Sequence, residues 1–306
     1  VNRNDDDLFP NAQLRFKFTD WADLRMAYSK SIIRPDYHAI IPSTLFAGSS
    51  HSVGNSRLKP TLADNLDLSC SVYNNKIGLF TFGGFYKEMQ DIFYATNIYY
   101  KNIGLYDISF PDSAAWQALG FTDLPAPSDK INSYLNNPNP AYVKGLEVEW
   151  QTNFWYLPNF LNKMVLNINY ARIWSEMDYQ QIINKQETYT YIDPRTGRPR
   201  SGTRYVTTDT IRTARLLNQG DHVVNVALGI DHKGFSGRLS FNLQSGVISY
   251  IGGRPEADQY IGDVYKWDLT LQQKLPIKGM TVAFNGINLF HNVSKAYQKF
   301  PNELGG

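Results

Sequence analysis

Apolar and polar residues alternate in short runs along most of this chain. In residues 13–19 (QLRFKFT), the apolar side chains of Leu14, Phe16 and Phe18 occupy every second position, and residues 23–29 (DLRMAYS) repeat the pattern. A period of two places successive side chains on opposite faces of a β-strand. Because only the turn DWA separates the two runs, we predict a β-hairpin at this point.

The same period recurs through the rest of the sequence and predicts about ten strands. The runs lie at residues 13–19, 23–29, 65–73, 76–89, 145–152, 164–171, 222–231, 237–245, 266–273 and 280–290. Their polar faces carry charged residues, which suit the solvated exterior of a sandwich and the wet lumen of a barrel equally well. Charge alone therefore leaves both architectures open.

Composition excludes several classes of protein. A formal net charge of +2 gives no sign of a nucleic-acid partner. No apolar run approaches the roughly 18 residues of a membrane helix, whereas the mean hydropathy of −0.38 is compatible with a barrel whose inward residues face water. A single cysteine, Cys70, and scattered histidines supply neither a disulfide framework nor spaced metal ligands. We predict no metal site, no cofactor and no catalytic residue.

The connections between predicted strands alternate between short and long. The long ones span residues 33–64, 90–144, 176–220 and 247–262. Structureless loops of more than about 15 residues are uncommon in compact soluble domains, whereas outer-membrane barrels combine short periplasmic turns with long extracellular loops. The sequence therefore predicts an all-β protein, an antiparallel transmembrane β-barrel segment with its apolar face toward lipid.

This architecture fixes which side chains face outward from the barrel wall. They are Leu14, Phe16, Leu66, Leu68, Leu146, Val148, Leu166, Ile168, Val226, Leu228, Leu239, Phe241, Leu269 and Leu271. Aromatic residues near strand ends, such as Trp21, Trp155 and Trp267, match the girdles that outer-membrane barrels carry at both interfaces. Rings in these positions also suit the ends of a soluble core, so the loop pattern remains the stronger indication.

Residues 28–73 contain a pattern that is more specific than the alternation. Its members are Ser31, Arg34, Pro35, Gly54, Asn55, Leu58, Lys59, Pro60 and Asn65. With these residues the segment resembles the barrel of TonB-dependent outer-membrane receptors, and further family-like segments follow in order at 83–93, 141–151, 156–171, 216–231 and 285–290. We interpret the Gly54–Asn55 pair as a turn that tolerates positive φ.

The resemblance implies a barrel of about 22 strands, of which residues 1–306 form the C-terminal portion, with the plug domain and the closing strand absent from this chain. It implies a receptor in the bacterial outer membrane, not an enzyme, that imports a scarce nutrient such as a siderophore–iron complex, a vitamin or an oligosaccharide. The implied partners are outer-membrane lipid and lipopolysaccharide, the TonB energy-transducing complex, acting through the N-terminal region, and a small-molecule or glycan ligand.

Ligand contacts in such a receptor are expected in the extracellular loops, which here are rich in rings and guanidinium groups. The candidates are Tyr94, Tyr99, Tyr100, Trp116, Tyr191, Arg195, Arg198, Arg200 and Arg204. Rings suit flat partners such as sugars or catecholate-like chelates, and arginines suit anions. The alternative is that the rings only pack the loops onto each other.

Two other functions remain as alternatives. A passive porin or a surface adhesin is built on a similar barrel. The second alternative is a soluble β-propeller or sandwich that binds or cleaves glycans. A propeller repeats every 40 to 50 residues or so, whereas the predicted strands of this chain are irregularly spaced. Glu147 and Glu149 are candidate glycosidase carboxylates, yet their face continues the lumen pattern of every other predicted strand.

Overall fold

The computed structural model describes residues 8–41, 44–47, 49–109, 117, 124–252 and 254–298. Its strands are β1 (Asn11–Thr19), β2 (Ala22–Ile33), β3 (Thr44–Ala47), β4 (Ser50–Val53), β5 (Thr61–Asn74), β6 (Gly78–Gln90), β7 (Phe93–Tyr99), β8 (Lys130–Asn136), β9 (Ala141–Asn153), β10 (Met164–Ile192), β11 (Pro199–Ala214), β12 (His222–His232), β13 (Phe235–Ser245), β14 (Val247–Tyr250), β15 (Gln259–Ile261), β16 (Val264–Lys274), β17 (Thr281–Gly286) and β18 (Ala296–Gln298). A one-turn α-helix spans Tyr37–Ile40, and short 3-10 helices span Tyr100–Leu105, Asn159–Lys163 and Pro255–Ala257.

The main sheet follows the order β1-β2-β5-β6-β9-β10-β12-β13-β16-β17, with β11 attached to β10 beside this path. The prediction of about ten strands in a meander of paired neighbours is confirmed. The register is antiparallel and regular in the later strands, where Met164 pairs with Ile230 and Phe235 with Gln273. In the described part of the chain, β1 and β17 end the sheet and are not paired with each other.

The two faces of the main sheet reverse the burial pattern of a soluble sandwich. None of the residues predicted to face outward is buried, and Leu14 and Phe16 are 65% and 61% exposed. In contrast, the Asp23 side chain is 0% exposed and lies between the guanidinium groups of Arg15 and Arg25, with 3.1 Å from Arg25 Nε to Asp23 Oδ1. An apolar face left open opposite a face with a buried ion cluster is the arrangement of a membrane barrel wall.

Compact turns join strands at one end of the meander. The β12–β13 hairpin turns through Lys233 and Gly234 with φ of 45° and 81°, which is the positive-φ pair of a type I′ turn and matches the right-handed twist of the flanking strands. Trp155 lies in the β9–β10 connection, is 55% exposed and donates its ring N–H to the Asn75 carbonyl at 2.7 Å. An exposed, hydrogen-bonded indole at a strand end is what an interfacial girdle requires.

The described residues of the long connections at the other end form strands, where the sequence predicts only loops. They form a four-stranded sheet in the order β3-β4-β8-β7, the β10–β11 hairpin and a three-stranded sheet in the order β14-β15-β18. In β8, the alternate residues Ile131, Ser133 and Leu135 are all buried. The period-two pattern of β8 is hard to recognise in the sequence because the run is short and lies between long irregular segments.

The chain divides into two compact units. The first comprises Val1–Leu14, Met26–Asp67 and Phe85–Tyr142, and the second comprises Arg15–Arg25, Leu68–Gly84 and Val143–Gly306. The four-stranded sheet belongs to the first unit, and the β10–β11 hairpin and the three-stranded sheet belong to the second.

Among the described residues, no helix is both long and apolar enough to cross a bilayer.

Candidate functional site

The second unit carries a two-stranded arm, defined here as Met177–Ile192 of β10 paired with Pro199–Ala214 of β11. β10 is 29 residues long, whereas a membrane-spanning strand needs about 9–11 residues. Its first part, Met164–Arg172, pairs with β12, and the register with β11 then runs from Met177 opposite Ala214 to Ile192 opposite Pro199. At about 3.3 Å per residue, the arm extends about 50 Å beyond its base.

A buried ion pair fastens the base of the arm to the segment before β15. Asp258, which is 2% exposed, accepts a two-pronged hydrogen bond from Arg212 on β11, with 2.6 Å from Arg212 Nη1 to Asp258 Oδ1. The same carboxylate accepts the Gly252 N–H at 2.9 Å, and Arg212 Nη1 also donates to the Gly252 carbonyl at 2.7 Å. Both ions are thus satisfied by several hydrogen bonds, as a buried pair requires. The pKa of Arg212 is raised by its hydrogen bond to Asp258.

A second set of contacts also holds the base of the arm. The Tyr179 hydroxyl donates to the Arg215 carbonyl at 3.0 Å and accepts the Leu217 N–H at 3.2 Å. The Arg215 guanidinium pairs with Asp221 and donates to a backbone carbonyl, and Arg172 lies 3.4 Å from the same carboxylate. Because these groups join β10 to the connection between β11 and β12, the arm is held at a fixed base.

One face of the arm brings together residues that were predicted from the sequence to contact a ligand. Side chains directly opposite in an antiparallel pair share a face, and Tyr191 lies opposite Arg200 while Tyr189 lies opposite Gly202. The Tyr189 and Tyr191 ring centroids are 5.8 Å apart, and the Arg204 guanidinium lies 5.6 Å from the Tyr189 centroid. We call these four side chains, Tyr189, Tyr191, Arg200 and Arg204, the ring–guanidinium stripe.

Each arginine of the stripe forms an ion pair with an acidic neighbour and still remains largely exposed to solvent. Arg200 Nε lies 3.0 Å from Asp193 Oδ2, and Arg204 Nη2 lies 3.5 Å from Glu187 Oε2. Both arginine side chains remain more than half exposed. Exposed ion pairs of this kind contribute about 0–1 kcal/mol, so neither guanidinium is held tightly.

The tip of the arm is a tight turn that carries Arg195 and Arg198, the other two arginines predicted to contact a ligand. Asp193 accepts the Arg195 N–H at 2.9 Å with its side chain and the Gly197 N–H at 2.8 Å with its carbonyl. Gly197 has φ of 65°, a conformation that favours glycine. Arg195 and Arg198 are exposed and have no acidic partner among the described residues.

The nominated tyrosines of the first unit have a different environment. Tyr94 and Tyr100 pack against the apolar cluster of the four-stranded sheet, whose buried members are Val53, Ile98, Ile108, Ile131 and Leu135. Tyr99 is 40% exposed, and the Lys101 ammonium lies 5.8 Å from its ring centroid. Trp116 lies outside the described residues. Of the three predicted ligand-binding tyrosines described in this unit, Tyr94 and Tyr100 thus pack the extracellular segments together, which is the alternative considered from the sequence, and Tyr99 is partly open.

Asn55, part of the receptor-like pattern, ties three segments of the first unit together. Its amide nitrogen donates to the carbonyls of Asp107 at 2.8 Å and Tyr134 at 3.0 Å. Its amide oxygen accepts the N–H groups of Ser109 at 3.0 Å and Arg57 at 3.1 Å. With an exposed fraction of 1%, Asn55 has all its hydrogen-bonding capacity used inside the protein.

The interpretation of Gly54–Asn55 as a positive-φ turn is wrong, since neither residue has positive φ. Glycine is needed at position 54 because the backbone of another segment approaches it. A Cβ atom there would lie 1.9 Å from the Ile41 carbonyl oxygen. The Asn55 N–H donates to the Ala39 carbonyl at 2.7 Å, which holds the two segments at this distance.

A histidine–carboxylate contact fastens another loop of the first unit. His51 Nε2 lies 3.1 Å from Asp129 Oδ2, which also accepts the Ala126 N–H at 2.9 Å. The hydrogen bond with His51, followed by the one from Ala126, holds the pKa of Asp129 below its usual range. Sequence reasoning missed this contact because the two residues are 78 positions apart.

We predict a defined acid response for this contact. A carboxyl group whose pKa is lower in the folded state stabilises the fold fully above its unfolded pKa of about 3.9, and the stabilisation is lost as the pH falls through the folded pKa. Amide-exchange protection near residues 126–131 is expected to fall below about pH 4 in the native protein. In an Asp129→Asn variant, amide-exchange protection should already be lower near neutral pH and should not fall further below about pH 4. An equal fall in the native protein and in the variant would contradict the assignment.

Among the described residues, no group of three or more His, Cys, Asp or Glu side chains is arranged to hold a metal ion.

The wall, its compact turns and its long ordered extensions together define an outer-membrane β-barrel segment. The sequence model of the family described as "TonB dependent receptor-like, beta-barrel" matches residues 1–289, and the chain belongs to this family. Members of this family are outer-membrane proteins of Gram-negative bacteria, so this is also the location of the chain, and the long extensions are extracellular. No curated protein matches the sequence.

Solved structures agree with this fold at low sequence identity. A mutant of the ferric enterobactin receptor PfeA from Pseudomonas aeruginosa, in complex with enterobactin, is 13% identical, with a TM-score of 0.55 over 92% of this chain and 35% of that chain. The siderophore receptor PirA from Pseudomonas aeruginosa is 11% identical, with a TM-score of 0.53 over 94% and 42%. A double mutant of the Serratia marcescens hemophore receptor HasR, in complex with its hemophore HasA and heme, is 14% identical, with a TM-score of 0.55 over 92% and 36%. The chain thus spans well under half the length of these structures.

Proposed function

We propose that the protein containing this chain is a TonB-dependent importer of a scarce nutrient, and not an enzyme. The observation that carries the proposal is the family match over residues 1–289. The ten-strand wall and its extracellular extensions support it, because a receptor of this kind needs a lumen for passage and an exterior surface for capture. In this proposal, residues 1–306 are the C-terminal portion of the barrel, and the plug domain and the closing strand belong to other parts of the protein.

The proposed ligand is an anionic or aromatic compound taken from the medium. Exposed guanidinium groups at Arg195, Arg198, Arg200 and Arg204 suit anions, and the half-exposed rings of the arm suit flat groups. The similar structures named above include receptors seen with enterobactin and with heme, so iron chelates come first among the ligands to test. Vitamins and oligosaccharides follow.

The proposed partners of the barrel follow from its location. Lipid and lipopolysaccharide surround the apolar outer face that carries Leu14, Phe16 and Leu66, each more than half exposed. The TonB complex supplies energy through the N-terminal region of the protein. None of these partners requires a cofactor.

An uptake experiment tests the proposed function. The full-length protein is expressed in cells that lack competing receptors, with and without an intact TonB complex, and uptake of a labelled ferric catecholate, ferric hydroxamate, heme, cobalamin and oligosaccharide is measured. We expect saturable uptake of one ligand class that falls to background without TonB. Uptake that is equal in both strains and linear in concentration would instead identify a passive porin.

A further inference from the structure

Resting on the proposed function of capture from the medium, we propose that the ring–guanidinium stripe of the arm is a binding site for an acidic oligosaccharide. The four side chains lie on one face at three successive levels, with Arg204 first, Tyr189 next, and Tyr191 and Arg200 side by side at the third. From the level of Arg204 to that of Arg200 the stripe covers about 13 Å, the length of a short oligosaccharide. Two adjacent rings, with one cation at the inner end and a second beside the outer ring, match a chain of sugar rings that carries anionic groups.

The two tyrosine rings of the stripe are partly exposed to solvent. A Cβ atom on Gly202 would lie 3.0 Å from Tyr189 Cζ, so the Tyr189 ring covers the bare backbone of β11. Tyr189 and Tyr191 are 41% and 42% exposed. The face of an aromatic ring is electron-rich and attracts the positive edges of C–H bonds, which a pyranose ring presents on its flat sides.

The flanking arginines select for negative charge. A planar guanidinium binds a carboxylate, sulfate or phosphate through two parallel hydrogen bonds, and it has five N–H donors. Arg200 and Arg204 each use some of these donors on Asp193 and Glu187, respectively, and remain open to solvent. Residues 184–207 contain five basic and two acidic side chains, so the outer half of the arm is positively charged.

The surroundings of the stripe favour a glycan over a protein partner. Protein interfaces place their aromatic and arginine anchors in a desolvated apolar centre. Here the same face continues with Lys185, Glu187 and Val206, and the opposite face carries Thr188, Thr190 and Ser201 beside Tyr205 and Ile192, so the rings lie among mainly polar side chains and not in an apolar centre. The stripe also begins about 33 Å along β10 from the start of the arm, away from membrane headgroups, so we assign it to a free glycan and not to lipopolysaccharide.

Calorimetry on the purified full-length receptor in nanodiscs tests the site with defined probes. The probe is an oligogalacturonate, a chain of carboxylate-bearing sugars, compared with a neutral malto-oligosaccharide, polyglutamate and lipopolysaccharide. We expect binding of the oligogalacturonate alone, with affinity that falls as salt rises. Equal binding of polyglutamate would show recognition of charge only, and preferential binding of lipopolysaccharide would reassign the site; either result overturns the proposal.

Single substitutions locate the binding to the stripe. Tyr191→Ser and Arg204→Gln are each expected to weaken binding by about tenfold, from the loss of one stacking or one charge-assisted contact, while Tyr191→Phe retains the affinity. The matched controls are Tyr205→Ser, on the opposite face and 74% exposed, and Arg254→Gln, at an exposed arginine outside the arm. Controls that weaken binding as much as the stripe variants would refute the assignment. Because the measurement needs no TonB, its failure is distinguishable from failure of the proposed transport.

Discussion

Replacing Asp258 by alanine is expected to lower the free energy of local unfolding at the base of the arm by about 3–5 kcal/mol. The substitution leaves the Arg212 guanidinium, which is 19% exposed, without its carboxylate, and it removes the acceptor of the Gly252 N–H. Breaking one side of a buried ion pair is costly because the remaining charge has lost its compensation. Hydrogen exchange of residues 208–216 and 246–260 measures the effect, as a rise in exchange of about a hundred- to a few-thousand-fold.

Two variants make this prediction specific. Asp263→Ala removes an exposed carboxylate from the neighbouring connection between β15 and β16 and is expected to leave exchange unchanged. A double replacement of Arg212 and Asp258 by methionine and leucine removes both charges together and should restore most of the protection, since apolar substitutes for a whole buried pair are often neutral. If Asp258→Ala behaves like Asp263→Ala, the ion pair does not hold the arm.

Asn55→Ala is expected to cost the first unit about 3–5 kcal/mol of stability. Alanine leaves the Asp107 and Tyr134 carbonyls and the Ser109 and Arg57 N–H groups without the partner they share. Water cannot easily replace that partner, because the site is 1% exposed. The loss appears in hydrogen exchange of β8 and of residues 105–109.

Asn55→Asp separates hydrogen bonding from packing. The carboxylate keeps the size of the side chain but places oxygen, which has no donor, against the two carbonyl groups. We therefore expect it to destabilise the unit about as much as alanine does. Asn97→Ala, at an exposed position of the same four-stranded sheet, is the control and should be nearly neutral. An Asp variant as stable as the native protein would show that the four hydrogen bonds contribute little.

The barrel wall was predictable because the membrane imposes one rule on every strand. Lipid on one side and a wet lumen on the other force the alternation seen at Leu14, Phe16 and Phe18, so a local pattern of a few residues identifies the strand, its face and its neighbours. The compact turns were equally visible, because Lys233–Gly234 and similar pairs carry the residues that such turns need.

The extracellular structures were only partly predictable because distant contacts hold them together. Thr- and Tyr-rich runs on both sides of Thr196–Gly197 carry a hairpin signal that the interpretation as a loop overlooks. No local pattern, however, connects Arg212 with Asp258, which are 46 positions apart. Ligand candidates chosen by residue type therefore included both open groups, such as Arg204, and structural ones, such as Tyr94.

β10 is one continuous strand that forms part of both the barrel wall and the arm. Its 29 residues contain no glycine or proline, the residues at which a strand most readily bends or loses pairing. A load on the ring–guanidinium stripe is therefore carried along the strand into the ladder that joins Met164–Arg172 to β12, where it acts as shear across a row of hydrogen bonds. A displacement of the arm along its axis would therefore act on the wall as sliding of β10 against its neighbour β12.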